Sequence, residues 1–233
     1  MKSYFQPKQA VRKGGPGSGN FGHGGRPGEV GGSSSEGGDA GMSGLQKIKP
    51  TPVESGKESF GGRHAVEIES QLSVDELKAF RAYSEDAGFA INGSLVHDKQ
   101  LTKEQRLVAQ RLSKVIRDKG RLSGPVTVYR GLSWKRRQDT DDFVGQFTQG
   151  KTIALKGFIS TSVDQGFVEA EFMKRRGGGV LLEIKATHGV FMTGRMTEHE
   201  GQHEILLNHN SKFRIEGISK LKNMHVIQLT QIK

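Results

Sequence analysis

The stretch Glu198-His199-Glu200-Gly201-Gln202-His203-Glu204-Ile205-Leu206-Leu207 decides how this chain is read. Ile205, Leu206 and Leu207 make a short apolar run of the kind that starts a buried strand. The half before them is polar and contains glycine, which reads as a loop. That loop delivers Gln202 and Glu204 to a strand edge two residues apart, so both side chains leave on the same face. An amide beside a carboxylate suits a site that must position one neutral polar group and stabilise a growing positive charge. A charged loop before an ordinary strand would show the same pattern, so the choice rests on the remainder of the chain.

Composition narrows the field. The 233 residues allow one or two domains. About half of the 33 glycines fall before residue 63, which leaves roughly 165 to 170 residues for a single folded domain. Residues 1–62 are rich in Gly, Ser and Pro and poor in apolar side chains, as in Gly14-Gly15-Pro16-Gly17-Ser18-Gly19. Such a segment buries too little surface to offset its chain entropy and reads as a flexible, disordered tether ahead of a domain at 63–233. Its glycines do not form a phosphate loop, since no strand precedes them and no Lys-Ser/Thr follows in register. No run approaches the roughly 20 apolar residues of a membrane helix, and Met1 to Gly14 lacks the apolar core of a classical secretory signal. With no cysteine there is neither a disulfide framework nor a thiolate metal site. The net charge of +10 favours polyanions: nucleic acid, an acidic protein surface or a phosphate-bearing ligand.

The folded part predicts helices first. Ser73-Val74-Asp75-Glu76 has capping-box spacing, and Val74, Leu77, Phe80, Tyr83 and Ala87 follow at helical intervals. This helix is expected to stop near Gly88, with Phe89 to Leu95 forming a turn around a buried aromatic. Thr102-Lys103-Glu104-Gln105 opens a second helix whose apolar face is Val108, Leu112, Val115 and Ile116, with Arg106, Arg111, Lys114 and Arg117 outside and Gly120 at its end.

After Gly124-Pro125 the period changes to that of strands. Val126-Thr127-Val128-Tyr129-Arg130 alternates and ends at Gly131, placing Arg130 where a side chain leaves a sheet for a cleft. A guanidinium there can grip a pyrophosphate through two parallel hydrogen bonds, which a lysine cannot do. Trp134 to Gly150 reads as a loop. Ile153 to Ile159 resumes a strand that runs into Ser160-Thr161-Ser162. Ser162 with Gln165 has capping-box spacing for a helix through Phe167, Ala170 and Phe172, leaving Ser160 and Thr161 free to bond a carboxylate or a ligand. Val180 to Ile184, Lys212 to Gly217 and Met224 to Thr230 are further strands, and Gly189 to Glu200 is a loop. The histidines lack the spacing of a zinc site, since His199 and His203 stand in a loop, so no metal is assigned.

Three separated signals fall in order: Tyr129-Arg130-Gly131, then Gly157-Phe158-Ile159-Ser160-Thr161-Ser162, then Gln202-His203-Glu204. This order resembles the R–STS–(E/Q)xE pattern of the toxin-like mono-ADP-ribosyltransferases. It looks most like the branch holding the clostridial Rho-modifying exoenzymes and the catalytic parts of actin-modifying binary toxins. Ala82 to Asn92 also resembles that branch's helix and turn before the arginine strand. The resemblance covers roughly residues 70 to 230 and implies an α+β fold: two packed, mainly antiparallel β-sheets forming a NAD cleft, flanked by N-terminal helices.

It further implies that NAD is a substrate whose phosphates Arg130 anchors, with Gly131, Ser160, Thr161, Ser162 and Glu204 around it. Ser160 would aim Glu204, with Thr161 and Ser162 supporting the strand end and helix start. Glu204 would meet the nicotinamide-ribose 2′-hydroxyl, and Gln202 would orient the acceptor. In that family a glutamate in the place of Gln202 accompanies arginine acceptors, and a glutamine accompanies asparagine, glutamine or guanine. Rho-modifying members carry an aromatic residue in the loop before the glutamine. Here His199 is the nearest flat side chain, which disfavours Rho as the target.

The expected function is therefore mono-ADP-ribosyl transfer from NAD to a protein target through an amide-type acceptor, with guanine of DNA or nucleotides, or arginine, as alternatives. The tether also resembles linkers of head-associated phage proteins. That resemblance implies a structural or delivery role in a phage particle, and a location in the virion or, after delivery, in the host cytoplasm. A basic nucleic-acid-binding module without chemistry is the third class.

Overall fold

Two capping boxes open the helices that carry the front of the fold. A computed structural model describes residues 67–172, 179–197, 203–221 and 224–232. The expected tether at 1–62, together with Glu198 to Gln202, lies outside them. Helix α1 (Val74–Ala82) starts at Ser73, whose hydroxyl accepts from Glu76 N at 3.2 Å while its own N–H donates to the Glu76 carboxylate at 2.8 Å. The same reciprocal pair between Thr102 and Gln105 opens α3 (Lys103–Lys119). Its apolar stripe, Ala109, Leu112, Val115 and Ile116, is buried. The basic side of α3 is tied in part to its neighbour, through Arg111 to Asp75 at 2.7 Å and Lys119 to Glu76 at 3.5 Å.

Gly88 does not stop the first helix. A π-helical turn (Tyr83–Ala87) leads directly into α2 (Gly88–Val96), and Phe89, expected inside, is 50% exposed. Glycine costs a helix only about 1 kcal/mol, and the fully buried Ile91 docks α2 on the core regardless. The expected loop from Trp134 to Gly150 likewise contains a helix, α4 (Arg137–Val144). Two turns with one buried aromatic give little periodicity to read. Phe143 anchors them between Trp134 and Phe147, with ring centroids 4.9 Å and 5.1 Å away. Helix α5 (Gln165–Phe172) follows the hydroxyl triplet.

The strands are β1 (Arg121–Ser133), β2 (Thr152–Leu155), β3 (Ile159–Ser162), β4 (Gly179–His188), β5 (Val190–Phe191), β6 (Glu204–Leu207), β7 (Ser211–Leu221) and β8 (Met224–Ile232). They form one continuous sheet in the order β2-β7-β8-β4-β1-β3-β6-β5, antiparallel except for β4 with β8. The continuity is thin, because β1 and β3 share a single paired position, Tyr129 with Ser162. Five strands lie on one side of that junction and three on the other. The two expected sheets are thus halves of one sheet joined at one pair. They still pack as expected: Val128, Leu132, Leu182 and Ile227 of the large half share a core with Ile159, Ile205 and Leu207 of the small one.

Alternation assigns the small half to two layers. Ile205 and Leu207 enter the core between the halves, whereas Leu206 joins Phe158, Val190, Met192 and Met196 against the helices. The segment expected as a loop from Gly189 onward is consequently well packed in its first part: Met192, Met196 and Thr197 are buried. Methionines on a turn carry no strand or helix period, so the pattern misses them. Gly189 lies tight against this packing. A Cβ there would sit 2.6 Å from Ile205 Cγ2 and 2.7 Å from Leu207 Cδ2, both core side chains. Gly189→Ala should therefore destabilise the fold by about 1–3 kcal/mol, the usual cost of overpacking. A lowered urea midpoint at unchanged slope checks it.

Candidate functional site

The site begins with a phase problem in the helices. Asn92 follows Tyr83 by nine positions. In an unbroken α-helix, at about 100° per residue, these side chains would point to opposite sides. The π turn between them takes one residue more per turn, which brings them to within about 80° of each other. Asn92 Nδ2 accordingly donates to the Tyr83 hydroxyl at 2.8 Å. The same amide clasps Phe158, taking its N–H at 2.8 Å and donating to its carbonyl oxygen at 3.1 Å. The Tyr83 ring meets the Phe158 ring edge-on at 5.4 Å. Helix and β3 are thus fastened at the residue that leads into Ser160.

Strand register places the next groups. Ser160 pairs with Leu206, Thr161 with Ile205 and Ser162 with Glu204. Directly opposed residues share a face, so Ser160, Ser162 and Glu204 all face the helical layer where Tyr83 lies. Ser162, rather than Ser160, is the residue directly across from Glu204. Ser160 stands one step along on that face, and its side chain favours ionisation of the Tyr83 phenol.

Two expectations for the triplet need correction. Thr161, counted among the cofactor contacts, faces the other way, and its buried hydroxyl donates to the Ile205 carbonyl oxygen at 2.7 Å. It fastens the sheet. The cap of α5 is Asp164, whose carboxylate accepts from Phe167 N at 3.0 Å; Ser162 Oγ instead accepts from Asp164 N at 3.0 Å in a local turn.

Arg130 is not at a strand end. Strand β1 continues to Ser133, with Arg130 paired to Leu182 and Gly131 to Leu181. The side chain reaches a cleft because β1 and β3 have no further paired position beyond Tyr129–Ser162. Across that gap the Arg130 guanidinium donates to the Ser160 carbonyl oxygen at 3.2 Å. Arg130 and Asn92 both line an open cleft walled by Phe89, Leu132, Lys156 and Phe158.

The electrostatics join the pieces. Burial pushes the Tyr83 phenol far above its usual pKa, the negative charge of Glu204 adds to this, and Arg130, Asn92 and Ser160 act against it. Burial pulls Arg130 down, opposed by Tyr83 and Glu204. A guanidinium still remains cationic, since its ordinary value is above 12. A fixed cation from β1 and a carboxylate from β6 therefore act on one neutral phenol from the helices. Just before Glu204, His203 takes a left-handed backbone (φ 45°), a conformation that costs an L-residue about 1–2 kcal/mol. Gln202 falls outside the described residues.

A family model for the ADP-ribosyltransferase exoenzymes matches residues 57–232. The chain belongs to that family. Its reaction class is NAD-dependent mono-ADP-ribosyl transfer, and the fold is the one that the R–STS–QxE order implies. The Clostridium limosum C3 exoenzyme superposes with a TM-score of 0.61 at 19% identity, over 76% of this chain and 93% of that one. C3stau2 from S. aureus, solved with NAD, gives 0.60 at 14% identity over 79% and 98%. The enzymatic component C2-I of the Clostridium botulinum C2 toxin gives 0.59 at 22% identity over 75% of this chain and 48% of that one. No curated protein sequence matches the chain. The phage association has no support among these relatives.

Tyr83 was legible in the sequence only as an apolar helix position. A face-based reading cannot join residues nine apart; the one available signal was a glycine amid a helical pattern. Its burial has a pH signature. The folded pKa is raised, so the neutral phenol's contribution is complete below the unfolded value of about 10 and is lost as pH rises from there through the folded value. Thermal melts from about pH 8 to about pH 11 should therefore fall more steeply for the native enzyme than for Tyr83→Phe. Parallel curves would refute this assignment.

Proposed function

We propose that this enzyme cleaves the nicotinamide–ribose bond of NAD and transfers ADP-ribose to an amide side chain of a protein. The observation that carries the proposal is the convergence of Arg130 and Glu204, from two halves of the sheet, on Tyr83 beside an open cleft. Arg130 grips the NAD phosphates, a task that suits its planar fork. Breaking the glycosidic bond sends the electron pair to nicotinamide, which leaves neutral, and the ribose becomes oxocarbenium-like. Glu204 accepts a hydrogen bond from the ribose 2′-hydroxyl and stabilises that charge. Ser160 and Ser162, on the same face, keep the carboxylate aimed. Gln202 holds the acceptor amide, whose nitrogen attacks C1′ and gives up a proton.

A neutral amide is a poor partner for a guanidinium acceptor, which argues against arginine. The net charge of +10 supports guanine in DNA as a second acceptor class, through attraction to phosphates. Labelled NAD supplied separately with cell lysate and with DNA, followed by mass spectrometry of the labelled product, distinguishes them. Label on asparagine or glutamine supports the first reading; label confined to guanine replaces it.

Glu204→Ala should lower both transfer and NAD hydrolysis by about 10²–10³-fold while leaving the circular dichroism spectrum that of the native fold. Full activity in that variant would remove Glu204 from the reaction. Gln202→Glu should shift labelling toward arginine, and an unaltered acceptor profile would separate Gln202 from acceptor choice.

A further inference from the structure

The π-helical turn Tyr83–Ala87 is an expensive way to build a helix, because such turns are rare and usually sit at functional sites. Gly88 N–H closes it on the Tyr83 carbonyl oxygen, and a Cβ at Gly88 would lie 2.4 Å from that oxygen. Two contacts leave the turn in different directions. The Tyr83 phenol meets Asn92 at 2.8 Å. The Ser84 hydroxyl meets the Thr197 hydroxyl at 2.7 Å, a residue 1% exposed.

Thr197 ends a tight turn. Its N–H and that of Met196 both bond the Thr193 carbonyl oxygen, at 3.0 Å and 2.7 Å, and Met192 N donates to the Glu204 carbonyl oxygen at 2.9 Å. Glu69 braces the outside of the same turn by accepting from Thr193 and pairing with Arg195. A connected path thus runs from Ser84 through Thr197, Thr193 and Met192 to the backbone of Glu204.

We infer that this π turn is the positioning element of the reaction site. By taking up one extra residue it sets the angle at which Asn92 supports the Tyr83 phenol. Through Ser84 it holds the segment that is bonded to Glu204. The inference rests on the NAD-cleavage reading above. Ser84 and Gly88 are positioning residues in it: they touch no reacting atom and act through Tyr83, Asn92 and Glu204. Misplacement of a reacting group by about 1 Å can cost on the order of 10²-fold in rate, so a change of helical phase is ample to be felt.

The test is a double-mutant cycle on the full chain, read as nicotinamide release from NAD without an acceptor. Gly88→Ala places a Cβ 2.4 Å from the Tyr83 carbonyl oxygen, which opens the π closure and releases the phase it sets between Tyr83 and Asn92. The expected result is a loss of kcat of about tenfold or more, with KM for NAD moving much less. Asn92→Ala should cause a similar loss alone and little further loss in the Gly88→Ala chain. Equal losses from Asn92→Ala in both backgrounds would overturn the inference. If Gly88→Ala does not unfold cooperatively, Asp86 is deleted in addition. A separation of eight residues in plain α-helix keeps Tyr83 and Asn92 about 80° apart, so kcat should recover, and no recovery would overturn the inference.

Thr197→Val should lower kcat about threefold to tenfold, with Thr197→Ser, which keeps the hydroxyl, restoring it. An unchanged rate in Thr197→Val removes the Ser84 path. A native chain that releases no nicotinamide defeats the reaction reading instead. The same cycle on urea midpoints then decides whether the turn creates the Asn92–Tyr83 contact.

Discussion

A guanidinium cannot shed its charge to enter a protein interior, so a half-buried arginine needs both hydrogen-bond acceptors and a nearby negative field. Arg130 finds these across the break between β1 and β3, in the Ser160 carbonyl oxygen and in the charge of Glu204. The break has a topological origin: the two strands pair at Tyr129–Ser162 and nowhere else. A fully zipped sheet would have spent the Ser160 carbonyl oxygen on backbone and closed the space where a ligand can enter. The cleft and the buried cation are therefore two aspects of one unfinished ladder.

The helical layer solves the complementary problem of holding a neutral polar group among charges. Tyr83 stays protonated because burial and the Glu204 charge both oppose its ionisation. Asn92 fixes its orientation without ambiguity, since the amide oxygen must face the Phe158 N–H and the NH₂ must face the phenol and the Phe158 carbonyl oxygen. The chain beside that amide has to be slim: a Cβ at Gly157 would lie 3.0 Å from Asn92 Oδ1. A side chain there would press on the clasp that couples helix to strand.

How much of this the sequence disclosed follows from which interactions are local. Capping boxes at Ser73 and Thr102, the alternation of β1, and the apolar run Ile205 to Leu207 involve near neighbours, and each was readable. Arg130, the hydroxyl triplet and Glu204 were readable as an ordered series, but their roles depend on register. Thr161 and Ser160 look interchangeable in sequence, yet pairing with Ile205 turns one into a sheet fastener and pairing with Leu206 turns the other toward the phenol. Helix α4 and the buried turn after β5 are held by single aromatics and methionines, which carry no period. Tyr83 and Asn92 were hidden by the π turn, because period analysis assumes a constant angle per residue.

Strand β6 shows why fold and chemistry cannot drift apart in this molecule. Its four residues serve two layers: Ile205 and Leu207 hold the halves of the sheet together, while Glu204 and Leu206 face the helices. A slip of one residue would exchange the faces. It would drive the Glu204 carboxylate into an apolar core, at the cost of several kcal/mol that an unpaired buried charge carries, and would strand two large apolar side chains among polar partners. The register that keeps the core intact is thus the register that presents the carboxylate, so any sequence that folds this way delivers Glu204 to the phenol and the guanidinium without a separate device.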